Sequence, residues 1–250
     1  MKITATIITL NEERNIERCI LSLKNVVEEI IVLDSFSTDK TEGICQRLGV
    51  VFEARKWEGY AASKNYLNSL ASNEYILSID ADEALDKDLQ EEILRVKTVD
   101  KPAVYSLNRL TNYCGKWIKH SGWYPDVKIR LFPKKDSYWE GEFVHEELVY
   151  PKELPVVELK GHLEHFSYYN YKEHRERADK YSTLTAKKMN RNGKKASAIK
   201  PYLSGLARFV TMYFFKGGIL DGKMGFKIAQ ISAQSNVFKY KELRRFNLEK

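Results

Sequence analysis

Asp80 and Asp82 stand one residue apart at the end of Tyr75-Ile76-Leu77-Ser78-Ile79, and Glu83 follows at once. The run before them is short, β-branched and aromatic, which predicts a strand. Carboxylates at the carboxyl tip of a strand in an α/β sheet face the crevice where ligands bind. Two of them can converge there on a hard divalent cation, which takes oxygen ligands and leaves part of its shell to substrate phosphates. The plainer reading is a loop acid pair that caps the next helix. Asp86 or Asp88 is better placed for that task, nearer the helical run.

The elements around this stretch must position it. Residues 2–10 read as a buried strand, and Asn11 as the N-cap of a helix with Glu12 and Glu13 in its first turn. Ile16, Ile20 and Leu23 recur at helical spacing. A second strand, Glu29 to Leu33, ends at Asp34, and Ser37 or Thr38 is placed to cap a helix reaching Leu48. A short strand at 50–53, a helix over 60–71 and the strand ending at Asp80 follow. The next helix spans about Asp86 to Val96, with Asp88 and Glu91 spaced as a capping box. Strands alternating with helices predict right-handed βαβ units and a mostly parallel sheet. Glu12, Asp34 and the Asp80/Asp82 pair then fall on one edge of that sheet.

Beyond Pro102 the texture changes. Strands are predicted at 104–110, 128–133, 138–149 and 156–166 without long helices between them, the pattern of a more antiparallel half. From about Tyr171 the chain is basic and helical, with helices over 172–192, 199–215 and 226–238.

Composition bounds the rest. The 250 residues carry 41 Lys or Arg against 34 Asp or Glu, net +7. That excess points to an anionic partner: nucleotide phosphates, a membrane surface or nucleic acid. Cys19, Cys45 and Cys114 lack metal-ligand spacing and read as free thiols of a reducing compartment. Ile3 to Leu10 is too short an apolar run for a secretory signal, and no stretch reaches the length of a membrane span. A cytoplasmic location, soluble or peripheral to the membrane, is expected.

Three sequence pieces, Thr9-Leu10-Asn11-Glu12, Asp34-Ser35-Phe36-Ser37-Thr38-Asp39 and Asp80-Ala81-Asp82-Glu83, together resemble family 2 glycosyltransferases of the GT-A fold. Trp123-Tyr124-Pro125-Asp126 through Arg130-Leu131-Phe132, Val144-His145-Glu146, and Gly217-Gly218-Ile219-Leu220-Asp221-Gly222 with Gly225-Phe226 resemble a narrower group, the bacterial glucosyltransferases of the lipopolysaccharide inner core. Phe36 departs from the family, which commonly has Gly there. The resemblance implies an α/β GT-A domain: residues 1–100 its nucleotide-sugar half, 101–170 its acceptor half, and 171–250 a helical extension. It implies inverting transfer of a sugar from a nucleotide diphosphate donor, with Mg²⁺ or Mn²⁺, to a glycan or glycolipid acceptor. Glucose from a uridine diphosphate donor is the choice the resemblance weights. Glu12 and Asp34 would hold the nucleoside, within a donor set that includes Thr9, Asn11, Asp39 and Ala81. Asp80 and Asp82 would lie at the diphosphate and metal.

Inversion requires a base on the face of the sugar opposite the leaving group. Glu146 is the first candidate and Asp126 the second; the plainer readings are a surface acid beside Glu142 and Glu147, and a turn residue after Pro125. Lys64 and Arg130 are candidate diphosphate contacts, with an exposed surface charge as the plain alternative for each. His162 and His165 have no nearby Cys, and in a strand their spacing puts them on opposite faces. His165 is a candidate neighbour of the metal or diphosphate, with a buried, hydrogen-bonded histidine as the plainer reading. Trp117, Trp123 and Tyr124 could stack on sugar rings or belong to the core. The basic C-terminal helices could lie on an anionic membrane surface, the reading the acceptor resemblance favours, or pack on the catalytic domain with their charges solvated.

Two other classes compete. A sugar nucleotidyltransferase would carry a Gly-rich basic loop after the first strand, where this chain has Asn11-Glu12-Glu13-Arg14. A nucleic-acid-binding protein would carry a recognisable binding signature, and none is evident, while acids line the proposed cleft. No nucleic-acid partner is expected.

Overall fold

The computed structural model describes residues 1–99, 101–141 and 146–249. The first strand, β1 (Ile3–Thr9), is almost wholly buried, as a near-continuous apolar strand in the middle of a parallel sheet must be. Helix α1 (Ile16–Leu23) covers it with Ile16, Cys19, Ile20 and Leu23, one face at helical spacing. The alternation continues through β2 (Glu29–Asp34), α2 (Thr41–Leu48), β3 (Val51–Ala54), α3 (Tyr60–Leu70) and β4 (Tyr75–Asp80). A short β5 (Glu83–Leu85) and α4 (Lys87–Lys97) precede β6 (Val104–Tyr113), β7 (Lys116–Ile118), β8 (Val127–Pro133) and β9 (Tyr138–Glu140). Next come β10 (Glu147–Val149), β11 (Val156–Glu158), β12 (Leu163–Tyr168), α5 (Tyr171–Arg191), α6 (Lys200–Val210) and α7 (Gly222–Leu248).

The chain forms two compact units, Met1–Arg109 with Asp126–Phe166, and Leu110–Pro125 with Ser167–Lys250. These are cut elsewhere than the expected division at 100 and 170, because Leu110–Pro125 clusters with the C-terminal helices. In the first unit the strand order is β3-β2-β1-β4-β8-β6. The pairs β1–β2, β2–β3 and β1–β4 are parallel, and β8 is antiparallel to both β4 and β6. This is the expected α/β GT-A class: a parallel, helix-flanked first half followed by antiparallel strands. The chain runs outward from β1 to β3 and then returns to the other side of β1 for β4. That reversal opens a crevice at the carboxyl ends of β1, β2 and β4. Register sets Thr9 beside Asp34 and Ile8 beside Asp80, so the acids do share one edge. Along β4 the side chains alternate between two cores. Tyr75, Leu77 and Ile79 join Ile16, Ile20, Leu89 and Ile93, while Ile76 joins Leu67, Phe132 and Trp139.

Three expected caps are corrected. Helix α1 starts at Ile16 after Asn15, whereas Asn11 takes a left-handed turn at φ 55°. Asn does so at small cost, and its side chain serves another loop, described below. Helix α2 begins at Thr41, past Ser37 and Thr38, because those two residues are engaged in the same loop pairing. Helix α4 is capped by Asp86, one of its two candidates, whose Oδ1 accepts from the Leu89 amide at 2.8 Å; only the capping box at Asp88 and Glu91 is corrected. The expected strand at 156–166 divides into β11 and β12, and the final helix is longer than 226–238.

The second unit has its own core of Tyr113, Ile118, Met212, Ile228 and Ala229. His174 is buried here, its Nδ1 2.8 Å from the Tyr113 hydroxyl and its ring against Tyr168. Burial, assisted by Arg177, depresses its pKa to about 4. A His with a depressed folded pKa is protonated first in the unfolded chain, so stability rises with pH between about 4 and 6.5. Acidification across that window is expected to destabilise the protein by about 2–3 kcal/mol, and His174→Gln to flatten that slope. Urea unfolding at stepped pH measures it; an unchanged slope in the variant would place the acid sensitivity elsewhere.

Candidate active site

The loops after β1 and β2 are stitched together by side chains. The Asn11 amide donates to Ser37 Oγ at 2.7 Å, and Asn11 Oδ1 accepts from the Thr38 amide at 2.8 Å. The Ser37 amide and hydroxyl both donate to the Asp34 carboxylate. Asp39 accepts from the amides of Glu13 and Thr41, both at 3.0 Å. Burial pushes the Asp39 carboxyl up, but the Thr41 and Glu13 hydrogen bonds outweigh it and hold it below its ordinary value. The Glu12 amide donates to Thr41 Oγ1, and its carboxylate accepts from Asn15 at 2.7 Å. The donor-set residues of the first two sequence pieces thus form one hydrogen-bonded rim. Phe36 sits in it at φ 64°, exposed, which explains why glycine suits that position. Thr9 Oγ1 is buried at its base without a hydrogen-bond partner among the described residues.

Below Asp80 the structure holds a chain of alternating charges. Lys64, on α3, lies 3.0 Å from Glu146 Oε1 and 3.7 Å from Asp80 Oδ1. Arg130, on β8, reaches Asp80 Oδ2 and Glu83 Oε1, each at 2.8 Å. Arg109, on β6, bonds Glu83 at 3.2 Å and Asp126 at 2.7 Å, and Lys128 closes the row on Asp126 at 3.0 Å. Both candidate bases therefore belong to one network that passes through Asp80, Glu146 at one end and Asp126 next to Lys128 at the other. Lys64 and Arg130 are 4% and 5% exposed, so the surface-charge readings of both are corrected. Burial alone would raise Asp80, but Arg130 and Lys64 outweigh it and hold the carboxyl far below the usual carboxylate range. Asp126 is likewise pushed up by burial and brought below its ordinary value by Arg109 and Lys128.

Asp82 points elsewhere: its Oδ2 lies 3.2 Å from His165 Nε2, and its carbonyl accepts from the Phe166 amide. Ala81, between the two aspartates, is buried. His162 pairs instead with Asp86 at 3.1 Å, so the two histidines have separate partners. Among the described residues no three His, Cys, Asp or Glu side chains converge as a metal cage. His145 and Glu142 lie outside the described residues. Trp123, a candidate sugar platform, packs edge-on against Tyr113 in the core of the second unit, with ring centroids 5.5 Å apart. Trp117 lies on β7, and the Tyr124–Pro125 bond is cis.

Glu83 and Arg109 had no assigned role in the sequence. Only Arg109 leaves a signal there, as a charge before the apolar Leu110 in the strand predicted at 104–110; Glu83 is shown to be buried by the structure, where it opens the short β5. A charge in a buried strand must be paired.

A parallel sheet with a bonded acid rim at its reversal, underlain by a carboxylate–cation row whose Lys64, Arg130 and Glu83 are buried, defines an α/β domain of the GT-A type. The chain belongs to glycosyl transferase family 2, whose family model matches residues 4–149. It is a glycosyltransferase. An uncharacterized glycosyltransferase of Rickettsia typhi, RT0209, is 31% identical over 99% of this chain and 88% of its own. The lipopolysaccharide core biosynthesis glycosyltransferase LpsC of Rhizobium meliloti is 30% identical over 93% of this chain and 88% of its own. Among solved structures, glucosyl-3-phosphoglycerate synthase from Mycobacterium tuberculosis, in complex with Mn²⁺, UDP and glucosyl-3-phosphoglycerate, overlaps 44% of each chain at 22% identity, with a TM-score of 0.38.

Proposed function

We propose that this chain transfers a sugar, with inversion, from a nucleotide diphosphate donor to a cell-envelope glycan or lipid-linked acceptor of the lipopolysaccharide-core kind. The observation that carries the reading is Lys64, one buried cation touching both Asp80 at the donor edge and Glu146, the candidate base. The LpsC relative and the sequence resemblance favour the acceptor class, and the resemblance favours UDP-glucose as donor. Residues 1–100 supply the donor half and 101–170 the acceptor half.

Glu12 and Asp34 hold the nucleoside, within the rim formed with Asn11 and Asp39, and Thr9 Oγ1 offers an unspent hydrogen bond beneath it. Lys64 and Arg130 face the diphosphate from below. Glu146 takes the proton of the acceptor hydroxyl. The charged row alternates four carboxylates with four cations, so a diphosphate arriving there brings uncompensated negative charge. That balance fits a divalent cation arriving with the donor. Asp80 is committed to Lys64 and Arg130, so Asp82 and His165 are the pair that would hold Mg²⁺ or Mn²⁺; an oxygen beside an imidazole nitrogen is a donor set such ions accept. When bound, the ion supplies Lewis-acid stabilisation of the leaving diphosphate.

A panel of nucleotide sugars, with and without Mn²⁺, tests this on the wild type and on Asp82→Asn. One donor is expected to bind in a metal-dependent way, with the substitution weakening it about 10- to 100-fold. Folded protein that binds no donor would remove the assignment.

A further inference from the structure

The glycine-rich stretch around Asp221 and the helix before it carry none of the residues assigned to the donor above, yet their packing is closely specified. Helix α6 packs on α7 through Gly205, where a Cβ would come within 2.4 Å of the Val237 side chain. Pro201 and Gly205 are its buried residues. That contact fixes the opposite side of the helix outward, and this side is apolar: Ile199, Tyr202, Leu203 and Leu206 are each more than half exposed. The stripe ends in a π-helical turn, Thr211–Phe215, and a 3-10 turn, Gly218–Asp221. At this tip Phe215 is 83% and Leu220 69% exposed, with Phe214 and Ile219 beside them.

The tip is held rigidly from beneath. Asp221 is buried and accepts from the Ser121 hydroxyl at 2.8 Å and the Lys119 amide at 3.2 Å. Gly225 lets the 3-10 turn sit directly on α7, since a Cβ there would meet the Gly218 carbonyl at 1.9 Å. A preformed turn that keeps large apolar side chains in water is a contact surface in search of an apolar partner.

Charge selects the partner. Residues 180–241 contain thirteen Lys or Arg and one acid, the buried Asp221, so the segment is more basic than the whole chain at +7. Lys194, Lys195, Lys200, Lys216 and Lys223, all exposed, stand next to the stripe and tip in sequence. Apolar side chains bordered by lysines match an anionic bilayer, in which the apolar face enters the headgroup boundary and the lysines meet lipid phosphates. A second copy of the chain would instead bring like charges together. We propose that α6 and the Phe214–Leu220 tip form the membrane-docking surface, seated on anionic phospholipid. This deepens the lipid-linked acceptor reading above, and its test is independent of transfer.

The experiment is co-sedimentation of the full chain with phosphatidylcholine vesicles, with and without phosphatidylglycerol, in the absence of donor and acceptor. Binding is expected only with the anionic lipid, weakening with salt, and Leu206→Ser combined with Phe215→Ser should reduce it roughly tenfold or more. Phe215→Trp should show a blue-shifted emission, quenched by brominated lipid, on the anionic vesicles. Equal partitioning of wild type and double variant, or no tryptophan shift, would overturn the proposal. So would a lipid-free dimer that the double variant dissociates, which would assign the face to a second copy. Vesicle binding without donor binding would leave the docking surface standing and remove the transferase reading of the site.

Discussion

Replacing Glu146 by Gln is expected to lower kcat for transfer by about two to four orders of magnitude, the range a positioned general base contributes. Gln keeps the volume of Glu and can still accept from Lys64, now 3.0 Å from Glu146 Oε1, so the site should stay assembled and donor affinity should change little. The loss then falls on the step that removes the acceptor proton. Asp126→Asn is the informative control. Its carboxylate is held below the ordinary range by Arg109 and Lys128 against the opposing pull of burial. A group so stabilised in its charged form is a reluctant proton acceptor, and a much smaller kcat effect is expected. Steady-state kinetics on both variants, with donor binding measured separately, decides it. A large loss in Asp126→Asn with Glu146→Gln near wild type would exchange the two roles.

Replacing Arg130 by Met is expected to cost about 3–5 kcal/mol of stability, because it leaves the buried Glu83 and the half-buried Asp80 without their shared cation. Met fills much of the space, so the loss reports charge rather than a void. The double variant Arg130→Met with Glu83→Gln should recover part of it, since the removed carboxylate no longer needs a partner. Urea unfolding gives both numbers. A cost below about 1 kcal/mol for the single variant would mean that water already solvates the row. The pH dependence has a definite sign. Asp80 has a depressed folded pKa, so its stabilisation is present above the unfolded value near 4 and is lost as pH falls below it. Without Arg130 that acid-side loss should shrink.

Sequence periodicity sufficed for the parallel half. Apolar runs that end in acids, alternating with helical patterns, predict β1 to β4 and their common edge, because burial on a sheet face imposes a pattern that neighbouring residues display. Local capping was less legible. Asn11, Ser37 and Thr38 have the chemistry of caps, but they spend it across two loops that lie 26 to 27 residues apart in sequence. Lys64 is legible as a candidate diphosphate contact, but its burial is not: it lies on a helix whose inward face, Ser63, Lys64, Leu67 and Asn68, is mostly polar, so hydrophobic spacing does not mark that face as buried. Similarly, Arg130 between Ile129 and Leu131 can be read as a charge in an apolar strand, but nothing near it in sequence names its partners.

By itself, then, the sequence determined the fold class, the acid-bearing edge and the family, since each rests on residues close together or on patterns set by one element. The tertiary structure alone decided which charges meet. Lys64 joins Asp80 to a glutamate 82 residues away, and Arg130 joins Asp80 to Glu83 across a strand boundary. Pairing of buried charges is enforced by desolvation, which acts only once the sheet has closed over them.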